Sequence, residues 1–273
     1  METTTEDLLA RRDKLLGPAY RLFYDKPVHL VRGEGVWLYD AAGRKYLDMY
    51  NNVPHVGHCH PRVVDAVCRQ AGILNTHTRY LHENILECAE RLTGKLPPEL
   101  DTAMFCCTGS EANELALRIA RSATGRKGII VADYAYHGNT QAIYEITTSD
   151  IPAEDIPGYV VTVPAPDTYR GHYRGDDAAA KYAGHVHDAI ALLQSRGFEP
   201  AAFVIDTIIS SCGVVEPPPG YLAEVAAIVR EAGALFIADE VQPGFGRTGR
   251  NFWGFEADGL VPDIVTMGKP MGN

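Results

Sequence analysis

The 273 residues contain no apolar run approaching the roughly 18–20 needed to cross a bilayer, so no membrane span is expected. The first residues, Met1-Glu2-Thr3-Thr4-Thr5-Glu6-Asp7, lack the basic start and apolar stretch of a secretory signal. Positive charge is in short supply: 25 Lys and Arg stand against 35 Asp and Glu, a net charge of −10. That balance excludes general nucleic-acid binding, which needs a dense basic surface, but leaves small anionic substrates open. The six cysteines, at 59, 68, 88, 106, 107 and 212, form no metal-type CxxC pair and suggest no disulfide framework, so a reducing cytoplasm is the expected location. Adjacent Cys106 and Cys107 sit in an apolar run and are expected to behave as small buried hydrophobes. His58-Cys59-His60 offers too few ligands for a metal, and none is expected. Internal repeats and low-complexity tracts are also missing.

What is present is an alternation of short apolar runs and longer helical patterns from about residue 60 onward. The predicted strands are Ala103–Cys107, Gly128–Asp133, Tyr159–Val163, Ala202–Asp206, Leu235–Asp239 and Asp263–Thr266. The predicted helices are Pro61–Ile73, Glu83–Thr93, Glu111–Ser122, Asp177–Ser195 and Tyr221–Ala232. Continuous apolar strands separated by helices predict an α/β fold, a mostly parallel sheet with helices on both faces. Residues 1–60 read differently, as an N-terminal segment with a hairpin turning at Ala42-Gly43, and residues 61–273 as one large domain. Pro164 to Asp177, rich in Pro, Tyr, Arg and Gly, reads as a long surface loop of the kind that carries function. The chain stops at Met271-Gly272-Asn273, just past a strand and a glycine turn, so the large domain is expected to be incomplete at its C-terminus and the sequence to be a piece of a longer protein.

Three places carry chemistry. Thr108-Gly109-Ser110, between an apolar run and an amphipathic helix, presents free N–H groups and the positive end of the helix dipole to an anion. Gly109 permits close approach of backbone, and Ser110 is read as N-cap and hydroxyl ligand; a well-capped helix without a ligand is the plainer reading. Leu235–Asp239, followed by Glu240, puts a carboxylate where open α/β sheets bind ligands. An Asp-Glu strand end also occurs in P-loop NTPases, but no GxxxxGK[ST] loop is present. The alternatives left are a partner for a protonated pyridine nitrogen and a structural acid. Lys269 follows the last apolar strand between glycines, where screening from water would lower its pKa and favour Schiff-base chemistry. Phosphate cup, strand-end acid and lysine, in that order, make a pyridoxal-phosphate (PLP) site on paper.

Thr108-Gly109-Ser110-Glu111-Ala112, Tyr136-His137-Gly138, Ala238-Asp239-Glu240-Val241-Gln242 and Gly268-Lys269 resemble the class-III aminotransferases of PLP fold type I. The resemblance implies that Gly109 and Ser110 bind the cofactor phosphate, that Tyr136 stacks on the pyridine ring with His137 beside it, and that Gln242 reaches the ring hydroxyl. It implies that Asp239 keeps the ring nitrogen protonated and that Lys269 carries the cofactor as a Schiff base and moves the proton. It also implies a homodimer, with a partner threonine completing the phosphate cup, and a C-terminal small domain that is missing here.

Asn51 to Pro61, Leu74-Asn75-Thr76 with Arg79-Tyr80-Leu81-His82, and Val261 to Asn273 are similar to the branch that holds the phospho-lyases of ethanolamine phosphate and phosphohydroxylysine. Many class-III transaminases carry Glu-Pro-x-x-Gly-Glu where this chain reads Asp206-Thr207-Ile208-Ile209-Ser210-Ser211, so Ser211 replaces the second Glu. The expected activity is elimination of phosphate from a phosphorylated amine, with Arg79, His55 and His82 as candidates to receive the leaving dianion. Amino transfer to a keto acid is the alternative, and an inactive dimeric scaffold a lesser one.

Overall fold

The computed structural model describes residues 4–50 and 53–273. By its internal contacts the chain divides into two units, Met1–His77 with Asn273, and Thr78–Gly272.

In the first unit, helix α1 (Thr5–Leu16) opens with a reciprocal cap between Thr4 and Asp7, an element the sequence reading did not anticipate. Strands β1 (Leu30–Glu34), β2 (Trp37–Asp40) and β3 (Lys45–Leu47) form an antiparallel sheet. The predicted hairpin is β2–β3; β1 adds a third strand to it. Its turn is held by buried Asp40, which accepts from Ala42 N–H, Arg44 N–H, Arg44 Nε and the Tyr46 hydroxyl. Helix α2 (Pro61–Ala71) starts with Pro at its first position, directly after His60. His58 of the same turn pairs its Nε2 with Asp48 at 2.7 Å.

The second unit holds α3 (Glu83–Thr93), α4 (Gly109–Thr124), β4 (Gly128–Ala132), the short α5 (Gln141–Tyr144), β5 (Val160–Val163), α6 (Ala178–Ser195), β6 (Pro200–Asp206), α7 (Tyr221–Glu231), β7 (Leu235–Asp239) and β8 (Ile264–Thr266). The five strands make a wholly parallel sheet in the order β5-β4-β6-β7-β8. Side chains alternate between two cores, as period-two geometry demands. Ile130, Val161, Phe203, Ile205 and Phe236 pack with α6 and α7 on one face. Ile129, Val131, Ala202, Val204 and Ile237 pack with α4 on the other. Both faces being covered is why the strands read as continuous apolar runs. The expected α/β architecture is borne out.

One predicted strand is not. Ala103–Cys107 forms no strand among the described residues. Met104 is 63% exposed and Phe105 40%. Apolar character specifies burial, whereas a strand also needs a neighbour's backbone, and the segment instead lines an open cleft of about 700 Å³ beside β8. Cys106 and Cys107 are therefore exposed, contrary to expectation. Pro164 to Asp177 is irregular, as its composition predicts. No helix among the described residues is long and apolar enough to cross a membrane.

Candidate active site

Parallel strands deliver their C-terminal ends to one edge of the sheet, and there β6, β7 and β8 end in Asp206, Asp239 and Thr266, paired in register across the three strands. Each follows a residue facing the α6–α7 core or its extension, so alternation turns Asp206 and Asp239 toward the α4 side.

Asp239 is only 4% exposed and its carboxylate is closely held. Oδ2 accepts from His137 Nδ1 at 2.7 Å and from Asn113 Nδ2 at 2.9 Å, and Oδ1 accepts from Val241 N–H at 3.0 Å. Asn113, buried on the first turns of α4, also donates to the His137 carbonyl at 2.8 Å and accepts from the Thr266 hydroxyl at 2.6 Å. One amide thus ties α4, the loop after β4, β7 and β8 together. His137 is 3% exposed, its backbone N–H bonds Thr147 Oγ1, and its Nε2 is buried with no hydrogen-bond partner. An unmatched buried polar atom beside a buried anion is the kind of exception that marks a site for a further group.

Lys269 opens the short turn Lys269–Gly272 just past β8. Burial holds its ammonium below the usual lysine range, helped by the Arg247 charge, while Asp239 and Asp206 pull the other way. Lysine and strand-end acids therefore share one field. The close approach is built on small residues: a Cβ on Gly109 or on Gly268 would meet Val241 side-chain carbons at 3.0 Å. The glycine at 109 thus admits Val241, a role its reading as room for an anion did not include.

The helix N-terminus is also adjusted. Thr108, not Ser110, is the N-cap of α4, its hydroxyl accepting from Glu111 N–H at 3.1 Å. The helix starts two residues earlier than predicted because Gly109 and Ser110 already have helical geometry, which places Ser110 inside the first turn. Ser110 Oγ donates to Asn139 Oδ1 at 3.1 Å and accepts from Asn139 N–H at 3.2 Å. Gly138, with φ 133°, makes this possible: a Cβ there would lie 2.8 Å from Ser110 Cβ. Tyr136, on the same loop, is 45% exposed. Gln242 Nε2 donates to Ser210 Oγ at 2.9 Å.

The three residues expected to receive a phosphate are placed as follows. His82 is the N-cap of α3, its Nδ1 accepting from Asn84 N–H at 3.2 Å. Arg79 is exposed in the turn before α3, and His55 belongs to the first unit, half-buried.

Sequence reasoning missed Asn113, Thr266, Asp206, Ser210 and Glu240. Asn113 lies 126 residues from Asp239 and 153 from Thr266, so no local pattern links them. Asp206 was legible in principle, being a second acid at the end of a second apolar strand. Glu240 is fully buried and accepts from Thr207 Oγ1, Gly254 N–H and Phe255 N–H, at 2.8 to 3.0 Å. Burial pushes its carboxyl up to about 7 despite those donors.

Residues 23–273 match the aminotransferase class-III family. The chain belongs to that family. It is 42% identical over 271 residues to a Drosophila melanogaster protein named alanine–glyoxylate aminotransferase 2-like, covering 96% of this chain and 55% of the relative. It is 40% identical over 285 residues to ethanolamine-phosphate phospho-lyase homolog 1 of Caenorhabditis elegans, covering 98% and 61%. Among solved structures, a phospholyase from Arthrobacter in complex with phosphoethanolamine superposes with a TM-score of 0.91 at 47% identity, covering 97% of this chain and 63% of that one. The taurine:2-oxoglutarate aminotransferase of Bifidobacterium kashiwanohense, in complex with PLP and glutamate, gives 0.85 at 26% identity, covering 98% and 62%. The class-III chain described here therefore spans about three fifths of the length of these proteins or somewhat less. The resemblance seen in the sequence motifs is borne out at the level of the family.

Proposed function

We propose that this class-III chain is the PLP-binding part of a phospho-lyase that eliminates phosphate from a phosphorylated amine such as ethanolamine phosphate. The observation that carries the PLP reading is the buried Asp239 carboxylate. Its hydrogen bonds come from an amide, an imidazole and a backbone N–H, and it sits in the electrostatic reach of a lysine with depressed basicity. A buried charge of this kind calls for a cationic partner. The donor set fits a protonated pyridine nitrogen, and the first turn of α4 with Ser110 fits its phosphate.

When bound, PLP supplies an aldehyde for amines and, with its ring nitrogen protonated, an electron sink for carbanion chemistry. Asp239 would keep the proton on that nitrogen, and Asn113 and His137 would hold Asp239 in place. Gly109 and Ser110 would orient the phosphate end, Tyr136 would cover the ring, and Gln242 would face the ring hydroxyl. Lys269 would carry the cofactor at rest. As a free amine, favoured by burial, it would take the proton from the amine-bearing carbon. The overall reaction would be loss of phosphate from the carbon next to the amine-bearing one, with water taken up to give aldehyde and ammonia. Arg79, His55 and His82 remain our candidates for meeting the dianion.

The similarity to a phospholyase at 47% identity and to a phospho-lyase homologue at 40% supports elimination, as does Ser211 in place of the transaminase Glu. The 42% identity to an alanine–glyoxylate aminotransferase 2-like protein supports amino transfer as the second reading. Full-length enzyme given ethanolamine phosphate without a keto acid separates them. Repeated release of inorganic phosphate is expected. A single conversion of the cofactor to its amine form without phosphate release would overturn the lyase. A homodimer, checked by light scattering of the full-length protein, and a cytoplasmic location, for which six free cysteines are the support, complete the proposal.

A further inference from the structure

Glu240 follows Asp239 in the chain, is fully buried, and has no part in the scheme above. A buried carboxylate is costly to keep unless its surroundings are built to receive it, and here they are. Alternation turns it away from Asp239, toward the core that holds Trp253 and Phe255. Oε1 accepts from Thr207 Oγ1 at 2.8 Å and from Phe255 N–H at 3.0 Å, and Oε2 accepts from Gly254 N–H at 2.8 Å. Position 254 has room only for glycine, because a Cβ there would collide with Thr207 Oγ1 and lie 3.1 Å from Glu240 Oε1. The backbone of Glu240 is fastened as well. Its N–H donates to the Thr266 carbonyl at 2.9 Å, which carries the β7–β8 pairing one residue further, and its carbonyl accepts from Gly244 N–H at 3.2 Å. Every polar group of the residue is therefore bonded.

The consequence falls on its two neighbours. Val241 N–H reaches back over Glu240 to Asp239 Oδ1 at 3.0 Å, so the turn at 239–241 has Glu240 at its middle. The Val241 side chain lies against Gly109 of one turn and Gly268 of another, where an added Cβ would meet its Cγ1 at 3.0 Å in each case. Rotation of residue 240 would withdraw the donor from Asp239 and the valine from its seat.

We propose that Glu240 is a positioning residue of the site: its side-chain bonds to Thr207, Gly254 and Phe255 hold the 239–241 turn in the setting that gives Asp239 the Val241 N–H and seats Val241 between Gly109 and Gly268. The hold on the turn concerns the protein alone; its bearing on catalysis rests on the role proposed above for Asp239.

The test uses the full-length protein as wild type, Glu240→Gln and Glu240→Met. Glutamine keeps an acceptor for Thr207 and Phe255 but sets its amide nitrogen against Gly254 N–H; methionine nearly keeps the volume and removes every acceptor. Amide hydrogen exchange is read by mass spectrometry at about pH 8, above the value of about 7 at which Glu240 ionises. Opening of segment 240–246 relative to β6 should rise about tenfold with glutamine and about a hundredfold with methionine, one hydrogen bond to a charged group being worth at least about a factor of ten. With ethanolamine phosphate as substrate, kcat should fall about tenfold in Glu240→Gln while KM stays within about threefold, because a displaced Asp239 acts on the reacting state and not on binding of the amine. Wild-type exchange of segment 240–246 in folded Glu240→Gln overturns the proposal. Equal loosening of this segment and β6 does so too, since it marks a core group without a positioning role. Unchanged kcat in an enzyme whose segment has loosened overturns the link to Asp239. If the methionine variant does not fold, the glutamine variant alone decides. Wild type that turns over no ethanolamine phosphate refutes the lyase reading, while the exchange measurement, which needs no cofactor, still decides this one.

Discussion

Asn113→Asp is the most searching perturbation of the site, because it changes one atom type and almost no volume. The Asn113 amide nitrogen lies 2.9 Å from Asp239 Oδ2 and 2.8 Å from the His137 carbonyl. The substitution turns that shared donor into an acceptor facing a buried carboxylate and a carbonyl oxygen. Two carboxylates in such contact cannot both ionise, so one keeps its proton well above the ordinary range. A rise of about 3 pH units corresponds to about 4 kcal/mol at 1.36 kcal/mol per unit. The sign follows from proton uptake: the folded variant binds one proton more than its unfolded chain between about pH 4 and pH 7. Its stability relative to wild type is therefore best preserved at low pH and lost as pH rises through that window. Urea unfolding of the full-length proteins, measured as the difference between variant and wild type at pH 5 and pH 8, should show the deficit growing by a few kcal/mol. A difference that is the same at both pH values would refute the reasoning, because it would mean that Asn113 and Asp239 are not in buried contact.

Other outcomes are expected from the same geometry. Lys269→Ala in the full-length enzyme should lose the visible absorbance of covalently held cofactor and reduce turnover by roughly a thousandfold or more, since both attachment and proton transfer go with it; unchanged turnover would remove the basis of the functional proposal. Gly138→Ala should destabilise by about 3 kcal/mol or more, because a Cβ would sit 2.8 Å from Ser110 Cβ at φ 133°; a chemical-denaturation midpoint equal to wild type would contradict it. Glu240, raised from its ordinary 4.5 to about 7 by burial, should contribute stability at acidic pH that is lost as pH climbs toward 7, roughly 3 kcal/mol in all. Glu240→Gln should flatten that slope in unfolding curves taken from pH 5 to pH 8.

The class-III architecture was legible in the sequence because its signals are local. Apolar strands of five residues or so, covered on both faces, leave unbroken runs such as Leu235–Asp239, and the matching strand ends in the structure where its pattern ends. The candidate cofactor motifs stand out for the same reason: Thr108-Gly109-Ser110 opens a helix, Asp239 ends a strand and Lys269 opens a turn, and such chemistry is written in consecutive residues. Capping is less legible in the sequence. Thr108 and Ser110 are both good N-caps by type, and only the backbone decides between them.

The amino-acid sequence by itself determined the parallel sheet with helices on both faces, and it singled out Thr108-Gly109-Ser110, Asp239 and Lys269 as the residues on which the proposal is built, since each of these signals depends on neighbours a few residues away. Tertiary structure alone decided what surrounds them. Asn113 bridging Asp239, His137 and Thr266, Asp206 aligned with Asp239, and Gly268 closing on Val241 beside Gly109 are contacts between distant segments. It also decided that Ala103–Cys107 stays unpaired among the described residues, because a strand is a property of two backbones and hydrophobicity a property of one.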